Sequence, residues 1–297
     1  MNVGIIGGGA WGCALATLVA GAGHLARIGT RGTRPKGFAS TPNLDALARE
    51  SDLLIVAVPS DSAAEAVDAV HPDAGSMVLF AGRGMNTRDG CWMSDYLVSR
   101  TPCRRVGALA GPALASEVVA GRPTALVVAS PYDEVCQTTQ AVLHSEHCRI
   151  YTSRDLRGVE LAGAMVRALA VAVGVADGLD YGIGAKGVII TRGIAEATRL
   201  GAAIGADPKT FSGLAGVGDL VSCATSSEHP SHIAGVTLAR GGVISSRLIE
   251  EMRALTALGE AEGVDLPLTS AVLTIASGDG RPGLVFDGLM RRAARPE

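Results

Sequence analysis

The sequence predicts an α/β domain with a mostly parallel, doubly wound sheet, followed by an all-α C-terminal domain. Short apolar runs of strand length alternate with helical segments through the first half, the pattern of a parallel sheet covered on both faces. A glycine-rich turn, Gly7-Gly8-Gly9-Ala10-Trp11-Gly12, joins the first such run to the first helix. From about Leu156 onward the strand-like runs give way to long segments of helical spacing. These observations place the first domain over residues 1–152 and the second over 153–297, with the boundary near Tyr151 to Arg157. Neither a low-complexity linker nor an internal repeat marks it.

In order, Val3 to Ile6 reads as a strand, Trp11 to Ala20 as a helix, His24 to Ile28 as a strand and Leu44 to Glu50 as a helix. Leu53 to Val58 is a strand and Ser62 to Val70 a helix, and the apolar runs Met77 to Ala81, Val106 to Ala110 and Ala125 to Ala129 extend the sheet. The second domain reads as helices over Val159 to Gly174, Gly187 to Leu200, Asp207 to Leu214, Ser246 to Gly263 and Leu268 to Ser277.

A glycine-rich turn between strand and helix is the chemistry of a dinucleotide site. The glycines allow a tight turn and a close approach to the pyrophosphate, which then meets the N–H groups at the helix start. Gly7, Gly9, Ala10, Trp11 and Gly12 are therefore candidate cofactor contacts, in a Rossmann-type arrangement. The acid that usually binds the adenosine ribose would follow the second strand, but that segment reads Gly29-Thr30-Arg31-Gly32-Thr33-Arg34-Pro35-Lys36. Arg31 and Arg34 suit a 2′-phosphate, so NADP is favoured over NAD; the bland alternative is a solvated basic loop.

Bulk properties bound the rest. The chain has 297 residues, enough for two domains, and its 47% hydrophobic and 19% charged residues describe a globular protein. A net charge of −3 and 3% aromatic residues give neither the basic stripe nor the stacking platform of a nucleic-acid binder. The six cysteines are scattered without a CxxC pair, and no basic segment precedes an apolar signal, which fits a cytoplasmic protein. The longest apolar stretch, Leu161 to Ala176, is interrupted by Arg167 and falls short of the roughly 20 residues a bilayer needs, so a buried helix is expected and no membrane span.

Seven segments in order along nearly the whole chain resemble the bacterial NAD(P)-dependent glycerol-3-phosphate dehydrogenase family. They are Gly7 to Gly12, Ala57 to Ser60, Gly111 to Glu117, Gly121 to Ala125, Gly158 to Ala164, Ile190 to Gly193 and Leu214 to Leu220. The resemblance implies a Rossmann domain and a helical substrate domain with substrate held between them. It adds Pro59, Ser60 and Ala115 to the cofactor contacts. A homo-oligomer, a dimer, is expected.

Residue by residue, the resemblance also shows departures. Where the family reads Gly-Ala-Leu-Lys-Asn, with the lysine as catalytic acid/base, this chain has Gly163-Ala164-Met165-Val166-Arg167. The Lys-Gly pair after a strand of the first domain becomes Arg83-Gly84, and the Ser-Arg-Asn that clamps the substrate phosphate becomes His229-Pro230-Ser231. The threonine after the Gly-Asp-Leu turn maps to Cys223, and the Asn of Gly-Asp-Asn-Thr-Lys to Gly184, whereas Asp219 and Lys186 retain their family identities. The segment between the second strand and Leu53 is shorter than in the relatives.

The candidate catalytic residues are therefore Lys186, Asp219 and Arg83. The candidate substrate-binding residues are Arg83, Arg167, Asp219, His229 and Ser231, with His232 as a possible further contact. An arginine binds carboxylate or phosphate through its fork but is a poor proton donor. Lys186 has a structural alternative in helix C-terminal carbonyls, Asp219 one in capping its turn, and Glu160 reads as a helix-start or interdomain hydrogen-bonding group. The pairs His144/His147, with Cys148, and His229/His232 lack a clear third ligand, so no metal is expected.

The expectation is an NAD(P)H-dependent reductase passing hydride to a C=O or C=N bond of a small anionic substrate, because an iminium accepts hydride without the acid that a ketone needs. The alternatives are genuine glycerol-3-phosphate dehydrogenase activity on dihydroxyacetone phosphate, and a non-catalytic NAD(P)-binding sensor.

Overall fold

The structure, a computed structural model, describes residues 1–32, 35–85 and 90–290. The chain forms two compact units, Met1–Glu160 and Leu161–Glu297.

The first unit runs β1 (Asn2–Ile6), α1 (Ala10–Gly21), β2 (Leu25–Gly29), β3 (Ala39–Thr41), α2 (Leu44–Arg49), β4 (Leu53–Val56), α3 (Ser60–Val70), β5 (Met77–Phe80), α4 (Met93–Arg100), β6 (Arg105–Ala110), α5 (Ala115–Val119), β7 (Thr124–Ala129), α6 (Asp133–Leu143) and β8 (Cys148–Ser153). Its eight strands form one sheet in the order β3-β2-β1-β4-β5-β6-β7-β8, parallel at every pairing except the antiparallel β6 and β7.

Alternation along each strand fills both faces. Val3, Ile5, Leu53, Ile55 and Leu79 pack on one side with Leu15 and Val19 of α1. Ile6, Leu54, Val56, Val78 and Phe80 pack on the other with Val67 of α3 and Leu97 of α4. A strand buried on both faces reads as a continuous apolar run, which is why Leu53 to Val56 is legible as a strand.

Both sheet edges are blunted. β3 is three residues long. On β8, the outward Ile150 N–H donates to His144 Nδ1 at 3.4 Å and the Ile150 carbonyl accepts from Gln140 Nε2 at 2.8 Å, so side chains of and just beyond α6 occupy the free ladder.

The second unit is helical throughout its described residues: α7 (Leu156–Gly178), which begins in the first unit, α8 (Gly182–Ala203), α9 (Pro208–Ser212), a π-helical turn over Leu214–Gly218, α10 (Asp219–Thr225), α11 (Pro230–Ala239), α12 (Ser246–Ala261), α13 (Pro267–Ala276) and α14 (Pro282–Met290). At 23 residues α7 is longer than the apolar stretch the sequence suggested, and by length and composition alone it could cross a membrane, so the length argument against a span does not hold. What marks it as a core helix is burial, since 89% of its most apolar window lies inside the protein.

Several elements escaped the sequence. β3 is too short to show a period. In α6, Thr138 and Thr139 occupy buried positions beside Val135 and Val142, which hides the apolar stripe. β8 buries only Cys148 and Ile150.

Candidate functional site

In the first unit, β1 lies between β2 and β4, so connections leave it in opposite directions and a crevice opens at the strands' carboxyl ends. A cavity of about 410 Å³ occupies this place, lined by Gly7, Gly8, Gly9, Thr30, Arg31, Ala57, Pro59 and Glu65 among others. Two glycines of the turn are required by geometry. Gly7 has φ +121°, and a Cβ there would lie 2.7 Å from the Ala57 carbonyl oxygen; a Cβ on Gly12 would lie 1.9 Å from the Gly7 oxygen.

The start of α1 has no side-chain cap and no acidic residue in its first turn, which leaves its N–H groups and the positive end of the helix dipole for an anion. These features fit a dinucleotide pyrophosphate. Trp11 is fixed by its indole N–H, which donates to the Ala81 carbonyl at 2.7 Å and ties the start of α1 to the end of β5.

Of the other candidate cofactor contacts, Pro59 precedes α3 and lines the cavity, and Ala115 opens α5 and packs on the core around α1. Ser60 opens α3, but its side chain lies outside the described residues, as does Arg34. Arg31 lines the cavity and its Nη2 lies 3.5 Å from Glu65 Oε2. Arg83 is half-buried in the segment after β5 and has interactions of its own.

In the second unit, α7 and α11 cross at glycines. A Cβ on Gly174 would meet the His232 carbonyl at 2.2 Å, and one on Gly235 the Val171 carbonyl at 2.1 Å. This approach brings His232 to Asp177, whose Oδ2 lies 2.7 Å from His232 Nε2, while Asp177 Oδ1 ion-pairs with Lys186 Nζ. Despite a desolvation cost that raises it, the Asp177 carboxyl is held below its usual value by hydrogen bonds and charge from Lys186 and His232. Lys186 is half-buried, whereas the chain's other lysines, Lys36 and Lys209, are exposed. Asp177 is the residue that sequence reasoning missed; its signal is an acid directly closing an apolar helical run.

The remaining candidates are engaged locally. Arg167 Nη1 donates to the buried Glu251 Oε1 at 2.7 Å. Asp219 is fully buried at the start of α10, where its Oδ1 accepts from the Cys223 thiol at 3.4 Å. His229 caps α11, its Nδ1 accepting from the Ser231 N–H at 3.3 Å, with Pro230 in the first turn. Val166 is 1% exposed within α7. Among the described residues no three His, Cys, Asp or Glu side chains gather as a metal site.

Two buried glutamates hold helix starts. Glu160 accepts from the Ser94 N–H at 3.0 Å and its hydroxyl at 2.7 Å, fixing the start of α4, and burial raises its carboxyl. Glu196 accepts from the Leu268 N–H at 2.7 Å and the Thr269 N–H at 3.4 Å at the start of α13.

Comparison with known proteins gives the following. Residues 31–136 match the family described as NAD-dependent glycerol-3-phosphate dehydrogenase N-terminus, and residues 155–287 match its C-terminus. The glycerol-3-phosphate dehydrogenase [NAD(P)+] of Streptomyces coelicolor is 34% identical, over 99% of this chain and 97% of its own length. That of Halorhodospira halophila is 32% identical over 100% and 98%. The crystal structure of the Coxiella burnetii glycerol-3-phosphate dehydrogenase superposes with a TM-score of 0.89 at 26% identity, covering 98% of this chain and 99% of that one.

Proposed function

The chain belongs to the NAD-dependent glycerol-3-phosphate dehydrogenase family, an NAD(P)-dependent oxidoreductase family, and from that premise we propose that it interconverts dihydroxyacetone phosphate and glycerol 3-phosphate. The observation that carries this reading is likeness to enzymes of that name along the whole chain, both domains included. Bound NAD(P)H supplies the hydride. The turn Gly7 to Gly12 and the open start of α1 hold the pyrophosphate.

Reduction of a ketone needs a proton for the developing alkoxide. Lys186 is the donor in this reading, its ammonium held in place by the ion pair with Asp177. Arg83 binds the substrate anion and is no proton source. The reading retains a homodimer, which sedimentation of the purified chain checks, and a cytoplasmic location, which cell fractionation checks.

A second reading, a changed small anionic substrate with a C=O or C=N bond, has a specific observation in its favour. Val166, where the resemblance places the family's catalytic lysine, is apolar and buried, and His229 and Ser231 are occupied at the start of α11. An iminium substrate would make the missing lysine unnecessary.

NADPH oxidation assayed with dihydroxyacetone phosphate, then with keto acids and imines, separates the two. Turnover of dihydroxyacetone phosphate at ordinary enzymatic rates, lost by roughly a hundredfold or more in Lys186→Met, supports the first. Turnover restricted to the other substrates supports the second. Cofactor binding without turnover of any substrate overturns both.

A further inference from the structure

The described wall of the dinucleotide cavity contains one acid and one base, Glu65 and Arg31. The acid that reads the adenosine ribose in this type of fold stands at the end of the second strand. Here that place holds Thr30, whose hydroxyl is turned to the backbone and accepts from the Gly32 N–H at 3.2 Å, and no acid occurs from Gly29 to Lys36. Glu65 reaches the same end of the cavity from a different element, α3, and its carboxylate meets Arg31 where the chain leaves β2. Beside it on α3, Ala66 and Ala69 line the cavity with small side chains that leave room for an adenosine.

We propose that Glu65 replaces the missing strand-end acid as the reader of the adenosine ribose, and that its pairing with Arg31 lets one pocket take either cofactor. With NAD, the Glu65 carboxylate accepts the 2′-hydroxyl while Arg31 stays paired to it. With NADP, the 2′-phosphate takes Arg31 through its guanidinium fork, and Glu65 turns away from the like charge. The exchange is open to both side chains because they are solvated, Arg31 being 74% and Glu65 44% exposed, and an exposed ion pair is held only weakly. The inference depends on the cavity being the dinucleotide site and on nothing about the substrate.

Calorimetric titration of the full chain with NAD⁺ and NADP⁺ tests it, with AMP and adenosine 2′,5′-bisphosphate isolating the adenosine end. Glu65→Gln is expected to weaken NAD⁺ by about tenfold and leave NADP⁺ unchanged or tighter, the loss of one charge-assisted hydrogen bond. Arg31→Gln is expected to weaken NADP⁺ and adenosine 2′,5′-bisphosphate by about tenfold or more with little effect on NAD⁺. Glu65→Asp, which keeps the carboxylate, is expected to recover part of the NAD⁺ affinity. Equal weakening of both cofactors by Glu65→Gln, or no change in either, overturns the proposal. Failure of the unmodified chain to bind either cofactor also overturns it, but by removing the dinucleotide site rather than the role of Glu65.

Discussion

The glycine-lined cavity of the first unit and the buried polar pairs of the helical unit solve the problem of positioning by different means. In the first, backbone approaches backbone so closely that side chains are excluded: the Gly12 position leaves 1.9 Å between a would-be Cβ and the Gly7 oxygen. In the second, charges are fixed by partners far away in sequence, Arg167 by Glu251, His232 by Asp177 and the start of α13 by Glu196. A site made of backbone tolerates no added atom. A site made of paired charges tolerates changes of shape but not the loss of one partner, because the other is then left buried and uncompensated.

The largest effect should come from the first kind of site. Gly12→Ala is expected to unfold the first unit or to lower dinucleotide affinity by about ten-thousandfold, since a Cβ 1.9 Å from the Gly7 oxygen meets backbone that cannot turn aside, a clash beyond the roughly 1–3 kcal/mol of ordinary overpacking. Titration of cofactor, with circular dichroism as the folding control, checks this; affinity within about threefold of the unmodified chain would remove the contrast.

Next is the Arg167 and Glu251 pair. Arg167→Met is expected to cost about 3–5 kcal/mol in urea unfolding, and Arg167→Met with Glu251→Met to regain most of it. A single variant that costs under about 1 kcal/mol would mean the pair is only an ornament of the surface type.

The smallest effect concerns pH. Burial raises the Glu196 carboxyl to about 7, whereas in the unfolded chain it titrates near about 4.3. Between these values the folded chain keeps a proton that the unfolded chain has released. The contribution of this group to stability is therefore complete below the lower value and is lost as pH rises toward 7. Glu196→Gln keeps an acceptor for the Leu268 N–H and cannot titrate. Unfolding curves of the two proteins should diverge across this window, and parallel curves would show that Glu196 stays ionised.

The same contrast explains how much could be read in advance. The glycine turn, the apolar runs of β1, β2 and β4 and the long helices are local, so Gly7, Gly12, Val3 to Ile6 and Leu53 to Val56 announce themselves in the sequence. The polar pairs are not local. Asp177 and His232 are brought together by a crossing at Gly174 and Gly235 that no period in the chain reveals. Glu196 carried a weak signal, an acid on the same register as the buried Ile189, Gly193, Ala197 and Leu200 of α8. Arg167 and His229 read as substrate ligands in the sequence, which does not show their local partners, Glu251 and the α11 backbone.

The treatment of the sheet margins reaches beyond the site. A strand with open backbone groups is a template on which another chain can be laid, and the first unit offers little of one: β3 ends after three residues, and Gln140 and His144 stand in for a ninth strand along β8. Copies of this protein therefore cannot readily join by continuing the sheet from molecule to molecule. Short or side-chain-covered edges of this kind are the usual guard against edge-to-edge pairing and the fibrils that follow from it.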